Sequence, residues 1–221
     1  MSAAARLLLF DLDGTLVDSA PDLAAAANAM RDARGLLPLP LASLRPMVGS
    51  GARGMVGAAL GVRPTDDGFA ALRDEFLQRY EAGLLERTAV FEAMVPVLER
   101  LDADGWRWGI VTNKAERFTL PLLAGLRLHT RAAVVICGDT TAHSKPHPAP
   151  LLEAARRTGF AATACIYVGD DLRDVQAGRA AGMAALAAAW GYLGDAAPID
   201  AWGAHAVLAE PADLLHWLQL P

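Results

Sequence analysis

Leu7-Leu8-Leu9-Phe10-Asp11-Leu12-Asp13-Gly14-Thr15 starts as an uninterrupted apolar run and ends on two carboxylates and a glycine. The same form recurs along the chain. Trp108 to Val111 ends in Thr112-Asn113, Val134 to Cys137 in Gly138-Asp139, and Cys165 to Val168 in Gly169-Asp170-Asp171. Ala184 to Trp190 and Ala206 to Ala209 can add two further strands. Runs without polar alternation fit strands buried on both faces, as in a parallel sheet. Helical patterns separate them: Pro96 to Ala103, Ala115 to Leu126, Pro146 to Thr158 and Leu172 to Ala181. Pro146 is read in the first helical turn, where its missing N–H costs nothing. Gly182 suits a helix C-terminus. Parallel strands need crossovers, so the fold reads as α/β, a doubly wound Rossmann-like parallel sheet.

From about Asp18 to Arg87 the pattern changes. Helical periodicity runs through Leu23 to Ala33, Ala52 to Leu60 and Phe69 to Leu85, with no convincing strand. Such a length of helix cannot be one crossover. It reads as an inserted all-helical cap, residues 18–87, leaving 1–17 plus 88–221 as the catalytic core, with hinges near Val17–Pro21 and Leu85–Thr88.

The 221 residues allow one good core and a small second unit, and 53% hydrophobic with 20% charged residues describes an ordinary globular chain. A net charge of -5 argues against nucleic acid or an anionic membrane as partner, since either calls for a basic patch. No stretch approaches the ~20 apolar residues that span a bilayer. The run from Arg6 to Phe10 is too short for a signal peptide and ends in acid, so a cytoplasmic location is expected. Cys137 and Cys165 sit in apolar runs and read as buried free thiols of a reducing compartment. A monomer or a homodimer is expected. Nearly every basic residue is Arg; only Lys114 and Lys145 are lysines.

In open α/β sheets ligands bind beyond the carboxyl ends of the strands. Three such ends carry Asp11/Asp13, Thr112/Asn113 and Asp170/Asp171. Two carboxylates ~4 Å apart repel by about 4 kcal/mol at an effective dielectric near ~20. Protons or a cation must relieve that, and oxygen-only ligands with room for water suit Mg²⁺ better than zinc. Residues two apart on extended backbone face the same way, about 6.6 Å along the chain. One carboxylate of Asp11-x-Asp13 can therefore attack phosphorus while the other protonates the leaving oxygen. The bland alternative is a strand cap at Asp11 and a turn at Asp13-Gly14.

Phe10-Asp11-Leu12-Asp13-Gly14-Thr15-Leu16-Val17-Asp18-Ser19 resembles the first motif of the haloacid dehalogenase superfamily in its phosphatase form. Val111-Thr112-Asn113 resembles the second, Ser144-Lys145-Pro146-His147-Pro148 the third, and Val168-Gly169-Asp170-Asp171-Leu172-Arg173-Asp174 the fourth. The four stand in order, and the likeness covers nearly the whole chain. The resemblance implies that Asp11 is the nucleophile, forming an aspartyl-phosphate, and that Asp13 protonates the leaving alcohol and then activates water. It implies Mg²⁺ on the carboxylates of Asp11 and Asp170 and the backbone carbonyl of Asp13. Thr112 and the amides around Leu12 and Asn113 then bind the phosphoryl oxygens. Lys145, a compact point charge in an Arg-rich chain, is expected beside Asp11 and the phosphate. Lys114 reads as a solvent-facing residue at a helix start. Asp174 is expected as a water-mediated or outer partner of the metal, and Asp171 as either a third ligand or a helix N-cap. His143 and His147 read as loop histidines.

Within the cap, Val48-Gly49-Ser50-Gly51-Ala52-Arg53-Gly54 reads as the point that enters the pocket. Gly49, Ser50 and Gly51 let backbone approach a ligand, and Arg53 can pair with a substrate carboxylate. The alternative is a glycine-rich helix start with a solvent-facing Arg53. Phosphonoacetaldehyde hydrolases of this superfamily use a cap lysine, and residues 18–87 contain none. Its dehalogenases lack the second carboxylate of the first motif, here Asp13. A phosphosugar mutase stays open on these motifs. The chain resembles most the phosphoglycolate phosphatase group, and stretches such as Trp108 to Lys114 also resemble bacterial N-acetylmuramic acid 6-phosphate phosphatases. Both substrates are small carboxylated phosphate esters. The rival of another class is a non-enzymatic phospho-acceptor or binding protein. Receiver domains of that kind are shorter and have no helical cap.

Overall fold

Strand β1 (Leu7–Phe10) is buried along its whole length, as an apolar run without alternation requires. The computed structural model describes residues 7–194 and 197–220; Arg6, at the head of the run weighed as a leader, lies outside them. After β1 the chain makes a short strand β2 (Val17–Asp18) and helices α1 (Ala20–Asp32), α2 (Leu41–Leu44), α3 (Gly51–Leu60) and α4 (Phe69–Ala82), then returns through β3 (Ala89–Val90). From there helices and strands alternate as α5 (Met94–Ala103), β4 (Arg107–Val111), α6 (Glu116–Gly125), β5 (Val135–Ile136), α7 (Ala149–Thr158) and β6 (Cys165–Gly169). The chain continues with α8 (Leu172–Ala180), β7 (Ala184–Ala188), β8 (Ala206–Leu208) and α9 (Asp213–Trp217).

Six strands form one parallel sheet in the order β5-β4-β1-β6-β7-β8. The doubly wound α/β reading is therefore correct, and β1 lies inside the sheet with Phe10 level with Ile110 of β4 and Val168 of β6. Alternate residues of β1 serve opposite faces. Leu8 and Phe10 join Trp108, Ile110, Leu98 and Leu122 under α5 and α6, while Leu7 and Leu9 join Tyr167, Leu151 and Ala177 under α7 and α8. Burying each large apolar side chain contributes about 1.5–3 kcal/mol, so this double layer anchors the strand that carries Asp11.

Three local expectations need adjusting. The helix read from Pro146 begins at Ala149, and Pro150 occupies its first turn. His147 stands before Pro148, where helical backbone is disfavoured, and Ser144–His147 forms a turn instead. The strand read over Val134–Cys137 is reduced to Val135–Ile136, and that over Ala184–Trp190 stops at Ala188. Finally, β2 and β3 pair antiparallel, Val17 with Val90 and Asp18 with Ala89, at the first segment read as a hinge and just beyond the second.

Helices α1 to α4 share their own core, in which Leu23, Met30, Met55, Phe76 and Tyr80 meet Phe118 of α6 and Tyr192 beyond β7. Asp22 of α1 accepts hydrogen bonds from the backbone N–H of Arg87 and of Thr88, each at 2.9 Å. The outgoing and returning chains are thereby tied together at the base of the insertion.

Candidate active site

Asp11 follows directly on β1, and its backbone N–H donates to Val168 O across the sheet. Its Oδ1 accepts from Leu12 N at 2.7 Å and pairs with Lys145 Nζ at 2.8 Å. Lys145 is 4% exposed; its ammonium also meets Asp174 Oδ1 at 2.8 Å, Tyr167 Oη at 2.8 Å and Val111 O at 3.0 Å. A loop lysine does not reach such a position unaided. Asn113 holds its backbone from both sides, Nδ2 donating to Lys145 O and Oδ1 accepting from Lys145 N, each at 2.9 Å. Thr112 is buried beside them, with Oγ1 accepting from Lys114 N at 3.1 Å.

Asp170, at the end of β6, is buried and accepts from Thr15 Oγ1 at 2.7 Å and Tyr192 N at 2.8 Å. Two glycines make room for it. A Cβ on Gly14, which has φ +88°, or on Gly191 would stand 2.1 Å from Asp170. Asp171 caps α8: its Oδ1 accepts from Arg173 N, and Asp174 Oδ2 accepts from Asp171 N in return. Of the two roles open to Asp171, the structure thus displays the N-cap. Asp174 is engaged by Lys145, Tyr167 and Asp171, which fits an outer partner better than a direct ligand.

Asp13 is gripped by Ser19 Oγ and by Lys114 Nζ, the latter at 2.9 and 3.0 Å from its two carboxylate oxygens. This corrects the reading of Lys114. Helix α6 starts only at Glu116, so Lys114 belongs to the connection leaving β4, and its side chain, 8% exposed, turns inward across the strand ends. The ammonium also lies 4.9 Å from the centre of the Tyr80 ring. Composition held the signal: the chain's two lysines both pair with the carboxylates of the first motif.

Burial pushes the Asp11 carboxyl up to about 7, with Asp174 adding to the rise and Lys145 opposing it. Asp170 is pushed up by burial and by its acidic neighbours Asp11 and Asp174. Burial works against charge on Lys145 and Lys114 as well, but the carboxylates around them prevail and both stay firmly protonated. Lys145 is thus shared by Asp11 and Asp174, Lys114 is taken by Asp13, and among the described residues Asp170 has no cation paired with it. Asp11, Asp170 and Asp174 each offer an oxygen within 4.8 Å of the others. An all-oxygen set whose acids are crowded enough to be pushed toward their neutral forms fits a hard divalent cation.

These groups floor a cavity of about 280 Å³, roofed by Leu23, Val48, Gly49, Gly51, Phe76 and Tyr80 of the helical insertion. The Gly49 carbonyl accepts a short hydrogen bond from Arg173, joining roof to floor. Gly49 and Gly51 are thus where they were expected; Ser50 is not on the cavity wall. Arg53 is exposed and lines a separate depression with Pro64, Asp66 and Arg73, because α3 starts at Gly51 and carries it to the other side. The cations that do line the cavity are Lys114, Arg117, Lys145 and Arg173. His143 and His147 pack on each other, ring centres 4.3 Å apart, outside it.

The sequence pattern of the haloacid dehalogenase-like hydrolases matches residues 8–188. The chain belongs to that family. Among haloacid dehalogenase-like hydrolases it is 50% identical over 210 residues to a phosphoglycolate phosphatase of Xanthomonas campestris pv. campestris, covering 95% of this chain and 94% of that one. It is 40% identical over 209 residues to the N-acetylmuramic acid 6-phosphate phosphatase of Pseudomonas putida, with coverage of 95% and 94%. A crystal structure described as a predicted phosphoglycolate phosphatase from Haemophilus somnus superposes with a TM-score of 0.86 at 27% identity, over 99% of this chain and 100% of that one. The chain is a hydrolase whose full-length relatives are phosphatases. No helix among the described residues is long and apolar enough to cross a membrane.

Proposed function

We propose that this protein is a Mg²⁺-dependent phosphatase that hydrolyses a small carboxylated phosphate monoester through an aspartyl-phosphate, of the 2-phosphoglycolate phosphatase type. The observation that carries the reading is the pairing of Asp11 with Lys145 and of Asp13 with Lys114 at the floor of one roofed cavity. An Asp11 oxygen attacks phosphorus, and the bond to the leaving oxygen breaks as Asp13 gives that oxygen its proton. Asp13, now a carboxylate, takes a proton from water, which attacks the aspartyl-phosphate, releases inorganic phosphate and restores Asp11. Lys145, Thr112 and the amides at Leu12 and Asn113 are the donors for the phosphoryl oxygens, and stabilising that charge is most of the catalytic task. Asp11, Asp170 and the Asp13 carbonyl would hold Mg²⁺, which would offset the acidic excess and the charge of the phosphate.

Residues 18–87 serve as a cap that keeps bulk water from the acyl-phosphate, closing about the β2–β3 connection. The Arg173 bond to Gly49 is the contact that supports a closed state. A cytoplasmic location is part of the reading, since Cys137 and Cys165 are free and buried. N-acetylmuramic acid 6-phosphate is the second reading; the apolar wall of Leu23, Val48, Phe76 and Phe118 is more than a two-carbon acid covers. The test is kcat/KM for 2-phosphoglycolate, N-acetylmuramic acid 6-phosphate and hexose phosphates, with and without a chelator. Turnover that persists after Mg²⁺ is stripped would end the metal assignment, and a preference for plain hexose phosphates would end the substrate class.

A further inference from the structure

Among the described residues one buried side-chain polar atom has no hydrogen-bond partner, the hydroxyl of Tyr80. Tyr80 lies in the last turn of α4, is 2% exposed and lines the cavity that holds Asp11. Its ring is fixed from two sides, stacked with Phe76 at 6.5 Å and tilted against Phe118 at 5.5 Å. Phenylalanine would fill that slot without burying an unsatisfied hydroxyl, which is a costly arrangement and a rare one. Beside it stands Lys114, whose ammonium has three N–H donors. Asp13 takes bonds at 2.9 and 3.0 Å, and the Tyr80 ring centre is 4.9 Å away. Burial pushes the phenol up, so it stays neutral and keeps its proton to donate.

We propose that the Tyr80 hydroxyl, with the Lys114 ammonium behind it, is the subsite that holds the carboxylate of the substrate while its phosphorus faces Asp11. This rests on the reading of the substrate as a carboxylated phosphate ester. It assigns the role first given to Arg53 to a tyrosine on a different helix of the insertion. Arg117, exposed and stacked over Phe118 at 4.4 Å, is the competing cation on the cavity wall.

The test compares wild type, Tyr80→Phe and Arg117→Ala on 2-phosphoglycolate and on ethyl phosphate, which has the same length but no carboxylate. A second pair, N-acetylmuramic acid 6-phosphate and N-acetylglucosamine 6-phosphate, differs by the lactyl carboxylate and tells which source the subsite takes. In one pair Tyr80→Phe is expected to lower kcat/KM for the acid about tenfold or more, through KM, the loss of a hydrogen bond to a charged group. The uncarboxylated partner should change less than about twofold, as no contact to it is lost. The melting temperature of Tyr80→Phe should be unchanged or higher, because no bond is removed. Equal losses on both members of a pair, or a preference that survives Tyr80→Phe and falls with Arg117→Ala, would overturn the subsite. A wild type that does not prefer the acid in either pair would sink the substrate class, and the subsite with it.

Discussion

Stripping the metal from this protein should make it less stable as pH rises from about 5 to 8, opposite to most carboxylate-rich chains. The Asp11 carboxyl titrates near 3.8 when unfolded and is pushed up to about 7 in the fold. Between those values the folded protein binds the extra proton, so unfolding gains from every rise in pH. At ~1.4 kcal/mol per pH unit, the span costs the native state up to about 4 kcal/mol once pH passes 7. Asp170 is pushed in the same direction and adds to the effect. Lys145 and Lys114 are raised, and their stabilising contribution is constant across this window. Burial works to raise Asp171, but Arg173 prevails and lowers it, so its stabilising contribution is full at pH 5 and above and constant across this window. The assay is urea unfolding in chelator at pH 5, 6, 7 and 8, repeated with millimolar Mg²⁺, for wild type and Asp11→Asn. Wild type should lose stability on the way up and recover it with Mg²⁺ at pH 8. Asp11→Asn should show a flatter profile and exceed metal-free wild type at pH 8. A wild-type profile that is flat or rising, with no gain from Asp11→Asn, would refute the argument from buried carboxylates.

Other expectations are simpler to read. Asp11→Asn should fold normally and keep less than a tenth of wild-type kcat; more than that would mean another nucleophile. Lys114→Met removes the cation holding Asp13, and kcat should fall about tenfold or more through lost positioning of the acid–base group; an unchanged kcat would exclude Lys114 from the chemistry. Asn113→Ala removes both hydrogen bonds to the Lys145 backbone and should cost about 1–3 kcal/mol in denaturant unfolding, together with a lower kcat. Arg53→Ala should leave KM for 2-phosphoglycolate within about twofold of wild type, since a substitution outside the pocket removes no contact to substrate; a large rise would return Arg53 to the cavity.

The parallel sheet was readable because each buried strand is an unbroken apolar run closed by a polar turn, and the carboxylates at those turns marked the site. What escaped detection depended on contacts between distant segments. Lys114 looks like a residue on the way into a helix until α6 is seen to start two residues later. Arg53 and Gly49 are four residues apart, but a new helix begins between them and sends the arginine away. Tyr80 is one aromatic among several in a helical pattern, and only its missing partner distinguishes it. Local sequence has no record of which hydroxyl lacks a partner.

Gly191 stands outside all four motifs, in the plain stretch Ala189-Trp190-Gly191-Tyr192 that follows β7. Yet this stretch shapes Asp170 as closely as Gly14 and Thr15 of the first motif do. Gly191 leaves the space that the carboxylate occupies, and the next residue supplies the amide that orients it. The motifs are therefore not a portable cassette. Grafted onto another parallel sheet of the same order, they would bring the acids and Lys145 but only the Gly14 side of the hollow in which Asp170 lies, and an alanine in place of Gly191 would evict it. An engineer who wants to move this site, or to recognise a decayed copy of it, has to carry a fifth segment that contains no reactive group at all.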